Sequence, residues 1–177
     1  MKKYEFTGET KEIKLLFRTA VLHRIRATVS FGFVKIGDLG GWIEKEENLS
    51  HEGKAWVCGD AEVWGNAEVC GDAKVCGDAK VWGNAEVWGN AEVFFASHVL
   101  VIGAIGSRND FTTFYRDKDN EITVKCGCFL GKIDRFLEKV TQTHGDSKYA
   151  LVYRAAVEVA KLQIDLSGEA PKDADEE

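Results

Sequence analysis

The sequence predicts a mainly β fold: a short left-handed parallel β-helix with an N-terminal β cap and a small C-terminal α+β domain of ββαα order. Three observations predict it: a six-residue repeat in the middle, an alternating apolar pattern before it and helical periodicity after it. The expected divisions are residues 1–50 for the cap and an irregular first coil, 51–102 for the β-helix, 103–166 for the α+β domain and 167–177 for a disordered acidic tail.

The repeat begins at Ala55 and reads Ala-X-Val-X-Gly-Asp or Asn over six consecutive hexads. Valine suits an inward, pleated position, alanine suits the narrow space near a corner, and Gly-Asx tolerates the backbone angles of the corner itself. Three hexads make one coil, so residues 18 apart should stack about 4.8 Å above each other. An α-helix is disfavoured because each glycine in a helix interior costs about 1 kcal/mol. Valine keeps this phase at positions 57, 63, 69, 75, 81, 87, 93 and 99.

Eight hexads give fewer than three coils, so the stack needs caps or partners at both open ends. Before the repeat, apolar residues alternate with polar ones from Val21 to Val29, as in a strand, and the stretch 31–36 is expected to continue it. Ile43 and Leu49 are interpreted as degenerate hexad positions. The N-terminal flank is therefore expected to supply one cap.

The C-terminal flank has strand candidates at 111–116 and 121–126, joined by a hairpin turn at Asp117–Asn120. Helical spacing of apolar residues follows over 133–140 and again over 149–162. His144-Gly145-Asp146 separates these two stretches, with glycine placed near a helix end. Together they predict the ββαα module.

The formal net charge of the 177-residue chain is −6, and residues 167–177 carry −4 of it, from five acidic side chains and one lysine. Such a balance argues against binding along a long nucleic acid, which needs a clustered basic face. No signal-peptide pattern and no apolar stretch of about 20 residues occurs, so the expected location is the cytoplasm, without a membrane partner.

The cysteine count is five, and an odd number fits unpaired thiols in a reducing compartment. Cys58 and Cys76 lie one coil apart and could approach disulfide distance, but a role as small buried apolar side chains is favoured. Cys126-Gly-Cys128 lacks the two further ligands that a zinc site requires. Neither a metal nor a cofactor is expected.

The hexads resemble the hexapeptide-repeat superfamily, in which an aliphatic residue follows a small residue by two positions. This likeness covers about 50 of the residues and implies the left-handed β-helix and a homo-oligomer, a trimer or a multiple of one, but no single activity. The Gly-Asx-Ala-rich repeat, the Gly37–Glu44 stretch before it and the Gly-Ser-Arg-Asn and Cys-Gly-Cys-Phe stretches after it resemble small phage and prophage hexapeptide proteins without an assigned reaction. This second resemblance implies a phage origin, hence the cytoplasm of the host cell.

The clearest candidate for a ligand site lies after the repeat, where a glycine-containing turn, hydroxyls and two arginines could hold an anion such as phosphate. The alternative is an ordinary turn whose arginines contact Asp110 or Asp117. No set of nucleophile, base and orienting group is visible. The candidate ligand-binding residues are Ser107, Arg108, Asn109, Thr112, Thr113 and Arg116.

Three tryptophans follow inward valines and should point outward, with Trp64 one coil below Trp82 and Trp88 one coil above Cys70. A neighbouring subunit or the C-terminal domain is the favoured cover, and a platform that stacks ligand rings is the alternative. His98 is the one histidine clearly on the hexads, at an outward position.

Three functions follow. The first is non-catalytic sequestration of a small anionic molecule, a nucleotide-derived immune signal, by a phage-encoded oligomer. The second is an acyltransferase-like enzyme with His98 as its base, which lacks the loop that such enzymes extrude from the coils. The third is a structural or protein-interaction module that uses the tryptophan face.

Overall fold

The computed structural model describes residues 2–167, which form a mainly β structure of short parallel and antiparallel sheets, followed by two α-helices. No helix of this part of the chain is long and apolar enough to cross a membrane. The predicted acidic tail lies, apart from Ser167, outside the described residues.

The repeat forms three short parallel sheets in which strands 18 residues apart are neighbours. Val75 pairs in register with Val57 on one side and Val93 on the other, while Val63 pairs with Val81. The repeat valines from Val57 to Val93 are fully buried, as are the alanines two positions before them, so this column is the core. The predicted parallel register is confirmed. The strands are β4 (Trp56–Val57), β5 (Glu62–Val63), β6 (Glu68–Val69), β7 (Lys74–Val75), β8 (Lys80–Val81), β9 (Glu86–Val87) and β10 (Glu92–Val93).

The N-terminal flank is an antiparallel sheet of β1 (Tyr4–Lys14), β2 (Thr19–Ala27) and β3 (Leu39–Ile43), joined to the coils through β3. Ile43 pairs in parallel with Val63, and Leu49 bridges Val69, so both degenerate hexad positions are confirmed.

The strand expected to run through Val29 to residue 36 ends at Ala27 instead. A register shift opposite Arg24 and Arg26 changes which side chains are buried, and Phe31 pairs with Val34 across a tight turn. The alternating pattern could not show this because a bulge moves the alternation by one residue.

The last expected hexad leaves the coil. Phe95 and Ala96 stand at the two positions of the Gly-Asx corner, a 3-10 turn spans Ala96–His98, and Val99 pairs antiparallel with Tyr115. His98, expected at an outward position, is fully buried in that turn. Its Nδ1 accepts a hydrogen bond from the backbone N–H of Phe94 at 3.2 Å. His98 therefore stabilises the turn through which the chain leaves the coils.

The C-terminal unit is an antiparallel sheet of four consecutive strands packed against two helices, rather than the two strands expected. The predicted strands, hairpin and helices are all present, and strands were missed on either edge. The elements are β11 (Val99–Ile105), β12 (Asp110–Arg116), β13 (Ile122–Cys126), β14 (Phe129–Lys132), α1 (Ile133–His144) and α2 (Lys148–Gln163).

The C-terminal sheet contacts the upper end of the coils. The Tyr115 ring is buried with the repeat valines, and its hydroxyl donates to the Trp88 carbonyl at 2.9 Å. Asp117 forms an antiparallel bridge with Ala91. At the other end, Tyr4 of β1 is buried beside Trp56, with ring centroids 6.4 Å apart. Each flank thus covers coil residues, as a short stack requires.

One cysteine expectation was wrong: Cys58 and Cys76 form a disulfide between adjacent coils, with Cα atoms 4.5 Å apart. The spacing of neighbouring strands brings two stacked side chains within the range that a disulfide spans. Cys70, Cys126 and Cys128 are free thiols.

Candidate functional site

The expected ligand residues begin at the turn between β11 and β12. Gly106 has φ +69°, and Asn109 also adopts a left-handed conformation, with φ +51°. The Asn109 N–H donates to the Gly106 carbonyl at 3.3 Å, which closes the turn. Ser107, Arg108 and Asn109 therefore project together at the exposed tip of this hairpin.

A second hairpin turn lies beside this tip. Gly127, between β13 and β14, has φ +56°, and a Cβ added there would lie 2.9 Å from both Cζ and Nε of Arg108. The Arg108 guanidinium thus lies directly over the bare backbone of Gly127. Its side chain is 58 % exposed, and its nearest carboxylate is that of Asp110, at 3.9 Å.

Tyr153 of α2 forms the floor of the tip. A Cβ at Gly106 would lie 2.0 Å from the ring, so the ring packs against bare backbone. The Tyr153 hydroxyl lies among Ser107, Arg108 and the Cys126 thiol. Burial raises the pKa of the Tyr153 phenol, and the neighbouring Cys126 raises it further. The phenol therefore stays protonated at neutral pH and can donate a hydrogen bond.

His144, the last residue of α1, completes the arrangement. Its Nε2 is 3.4 Å from the Ser107 Oγ, and its ring stacks on Tyr153 with centroids 5.9 Å apart. We call Ser107, Arg108, Cys126, His144 and Tyr153 the tip cluster. It gathers a guanidinium, a hydroxyl, a phenol and an imidazole on a partly exposed surface, which is a set of hydrogen-bond donors suited to an anion.

The other three predicted residues lie further along β12: Thr112 contacts the cluster member Cys126, and Thr113 and Arg116 hold the C-terminal sheet in place. The buried Thr112 hydroxyl donates to the Cys126 Sγ at 3.3 Å. The Thr113 hydroxyl accepts from the Glu86 N–H at 3.0 Å, which ties β12 to the coils. Arg116, 5 % exposed, donates to the Glu92 carbonyl at 3.2 Å and to the Asn120 side chain.

A groove of about 350 Å³ opens between the coils and the tip of the β11–β12 hairpin. Asp110 connects the two features, because it lines the groove and faces Arg108. The groove's three carboxylates accept hydrogen bonds and its two amides both donate and accept, so the acidic side chains make the groove unattractive to phosphate. We call this the acidic groove; it is lined by Asn66, Glu68, Asn84, Glu86, Asp110 and Phe111.

The three tryptophans have different surroundings. Trp64 is only 7 % exposed because Trp82 stacks on it, with ring centroids 5.3 Å apart and planes 10° apart. Trp82 itself remains 51 % exposed. Trp88 lies under the Lys125 ammonium, 4.2 Å from its ring centroid, so the C-terminal sheet partly covers it.

Sequence reasoning missed Tyr153, His144 and Cys126 as members of the site. Helical periodicity placed Tyr153 correctly on the buried face of α2, but it gives no information about what the hydroxyl reaches. Gly127 was the one residue in the sequence that pointed to this site. A glycine in such a segment often marks a place where another group packs closely against the backbone.

No protein-family model matches the chain, and neither does any curated protein sequence.

Proposed function

We propose that the protein is a non-catalytic binding protein that captures a small anionic molecule at the tip cluster. The observation that carries this proposal is Arg108, a half-exposed guanidinium over Gly127 with the donors of Ser107 and Tyr153 beside it. A guanidinium offers paired donors that match the oxygens of a phosphate. Arg116 is not part of this proposal, because it bonds to the Glu92 carbonyl and Asn120.

The proposed ligand class is nucleotide-derived, an immune signal of the host cell. The acidic groove supports this class because it adjoins Arg108 through Asp110 and offers the carboxylates of Glu68, Glu86 and Asp110 as acceptors. A nucleotide combines an anionic phosphate with a neutral part rich in hydroxyl and amino donors. Carboxylates accept well from ribose hydroxyls, and the 38 % exposed Phe111 offers a ring against which a base can stack.

Sequestration needs affinity and no chemistry. The histidine of the tip cluster is His144, whose Nε2 lies 3.4 Å from the Ser107 Oγ, and no carboxylate hydrogen bond to its ring is seen among residues 2–167. His98, the base required by the acyltransferase alternative, is fully buried. These observations favour binding over transfer.

We also propose a fold for the coils, an oligomeric state and a cellular location. We propose that the 18-residue coils are a left-handed β-helix, which the single inward valine per hexad and the positive φ of the corner glycines support. We further propose a homo-oligomer built on a trimer, encoded by a phage and acting in the cytoplasm of its host. The half-exposed Trp82 would then be a subunit contact.

Native mass spectrometry of the full chain purified from bacteria tests the site. The wild-type protein should carry a copurified nucleotide-like mass. Arg108→Ala should lower its affinity about tenfold to hundredfold, since a hydrogen bond to a charged group contributes about 1.5–3 kcal/mol. Arg135→Ala, which removes an exposed arginine on α1, is the matched control and should retain the mass. Equal occupancy in Arg108→Ala and Arg135→Ala would overturn the assignment.

A further inference from the structure

Helix α2 has apolar side chains on both sides. Its inner face packs against the sheet through Ala150, Tyr153, Ala156, Val157 and Ala160. A surface helix normally presents polar residues on the opposite side. Here the outer side instead carries a stripe, which we call the α2 stripe, made of Leu151, Ala155, Val159 and Leu162.

The α2 stripe is unusually exposed for its chemistry. Leu151 is 58 % exposed, Val159 48 % and Leu162 90 %, and Ala155 is exposed between them. Spacings of four, four and three residues place them on one face of the helix. A continuous apolar face of this kind marks a protein contact.

Residues 168–177 are not matched to this face, because alanine and proline are their only apolar residues beside five acidic side chains and one lysine. Leucines and valines on a second copy would match it.

We propose that the α2 stripe pairs with the same stripe of a second copy, with the two helices antiparallel about a two-fold axis. If the axis crosses between residues 156 and 157, Leu151 lies level with the partner's Leu162 at each end. Ala155 then lies within one residue, about 1.5 Å, of the level of the partner's Val159, so a small side chain meets a larger one and the helices can approach closely. A two-fold contact requires such self-complementarity.

The charges beside the stripe fit the same arrangement. Arg154 and Glu158 lie on one flank, and the antiparallel register brings Arg154 of each copy next to Glu158 of the other. Within one chain, Arg154 approaches Asp146 at 3.4 Å and Glu158 pairs with Lys161 at 2.9 Å, both on exposed surface. Flanking charges of opposite sign set the orientation of paired helices.

This contact is separate from the tip cluster. Tyr153 reaches that cluster from the inner face of α2, whereas the stripe lies on the outer face. Loss of pairing should thus leave ligand binding intact, and Arg108→Ala should leave pairing intact.

Sedimentation velocity on the full chain tests the proposal. The wild-type mass should be an even multiple of the chain mass, and Leu162→Glu should halve it. Because Leu162 is 90 % exposed in the single chain, the variant should keep its circular dichroism spectrum. A wild-type mass that persists in Leu162→Glu would overturn the proposal.

Charge reversal tests the register. Arg154→Glu alone and Glu158→Arg alone should each weaken the assembly, because each places like charges together. The double variant Arg154→Glu, Glu158→Arg should restore it. Single variants that dissociate without rescue in the double variant would rule out the antiparallel arrangement.

Discussion

At the scale of single residues, Asp117 is the charged group on which the C-terminal hairpin depends. Its side chain is fully buried. Burial alone would raise the pKa of the Asp117 carboxyl, but hydrogen bonds from Lys132, Thr123 and the backbone N–H groups of Asp119 and Glu121 prevail and lower it. The carboxylate therefore stabilises the turn that bridges to the coils.

Asp117→Asn should lower the free energy of unfolding by about 3 kcal/mol at neutral pH, because it leaves buried donors and the Lys132 ammonium without their charge partner. Urea denaturation measures this loss. Asp119→Asn is the matched control, since Asp119 is 56 % exposed and lies 3.7 Å from the same ammonium, and it should change stability little. Comparable losses in the two variants would contradict the role given to Asp117.

The pH dependence follows from the direction of the same shift. The folded-state pKa of Asp117 lies below the ordinary value of 3.8, so its stabilisation is fully present above that pH. It is lost as the pH falls through the folded-state pKa. Asp117→Asn should accordingly flatten the decline of stability below about pH 4. The sequence marks Asp117 only as a turn residue, because composition does not reveal that a turn carboxylate is buried.

At the scale of elements, the coils depend on glycine at their corners for two separable reasons. Gly53 has φ +68°, and a Cβ there would lie 2.4 Å from the Gly71 carbonyl oxygen. Gly83 has φ +70°, but its Cβ would meet no atom within 4 Å. The first position combines an unfavourable backbone angle with close stacking, and the second has the backbone angle alone.

Alanine at these two corners should separate the effects. Gly83→Ala should cost about 1 kcal/mol for the left-handed backbone. Gly53→Ala should cost about 2 kcal/mol more, because the neighbouring coil must shift. Thermal or urea unfolding of the two variants measures the difference. Equal losses would mean that the coils do not stack as closely as described.

Periodicity predicted the coils well, and it failed where pairing partners decide the structure. Val99 keeps the six-residue phase but belongs to β11, since Phe95 and Ala96 have replaced the Gly-Asx corner before it. Strand β1 is mostly exposed and polar, so no alternation of apolar residues in the sequence predicts it. It forms through its antiparallel pairing with β2. A local sequence pattern indicates which residues are buried and where turns occur, but it does not indicate which strands pair with each other.

At the scale of the whole molecule, the coils form a rigid stem and the flanks supply both the covers and the candidate site. The C-terminal sheet is held to the coils by Tyr115, Thr113 and Arg116, while the tip cluster lies where the β11–β12 turn packs against α1 and α2. The sequence predicted two of the five members of that cluster, Ser107 and Arg108 of the turn. Cys126 comes from β13, His144 from α1 and Tyr153 from α2, and their approach to the turn depends on tertiary packing.

The central claim is that the protein captures a nucleotide-like anion and releases it unchanged. The most direct measurement is to denature the purified protein, identify the released molecule by mass spectrometry, and incubate that molecule with excess fresh protein. We expect the released molecule to have a nucleotide-like mass and to bind to the fresh protein. It should be recovered unchanged and in full amount after prolonged incubation. A released molecule that is converted to a product, or a purified protein that carries no such molecule, would contradict it.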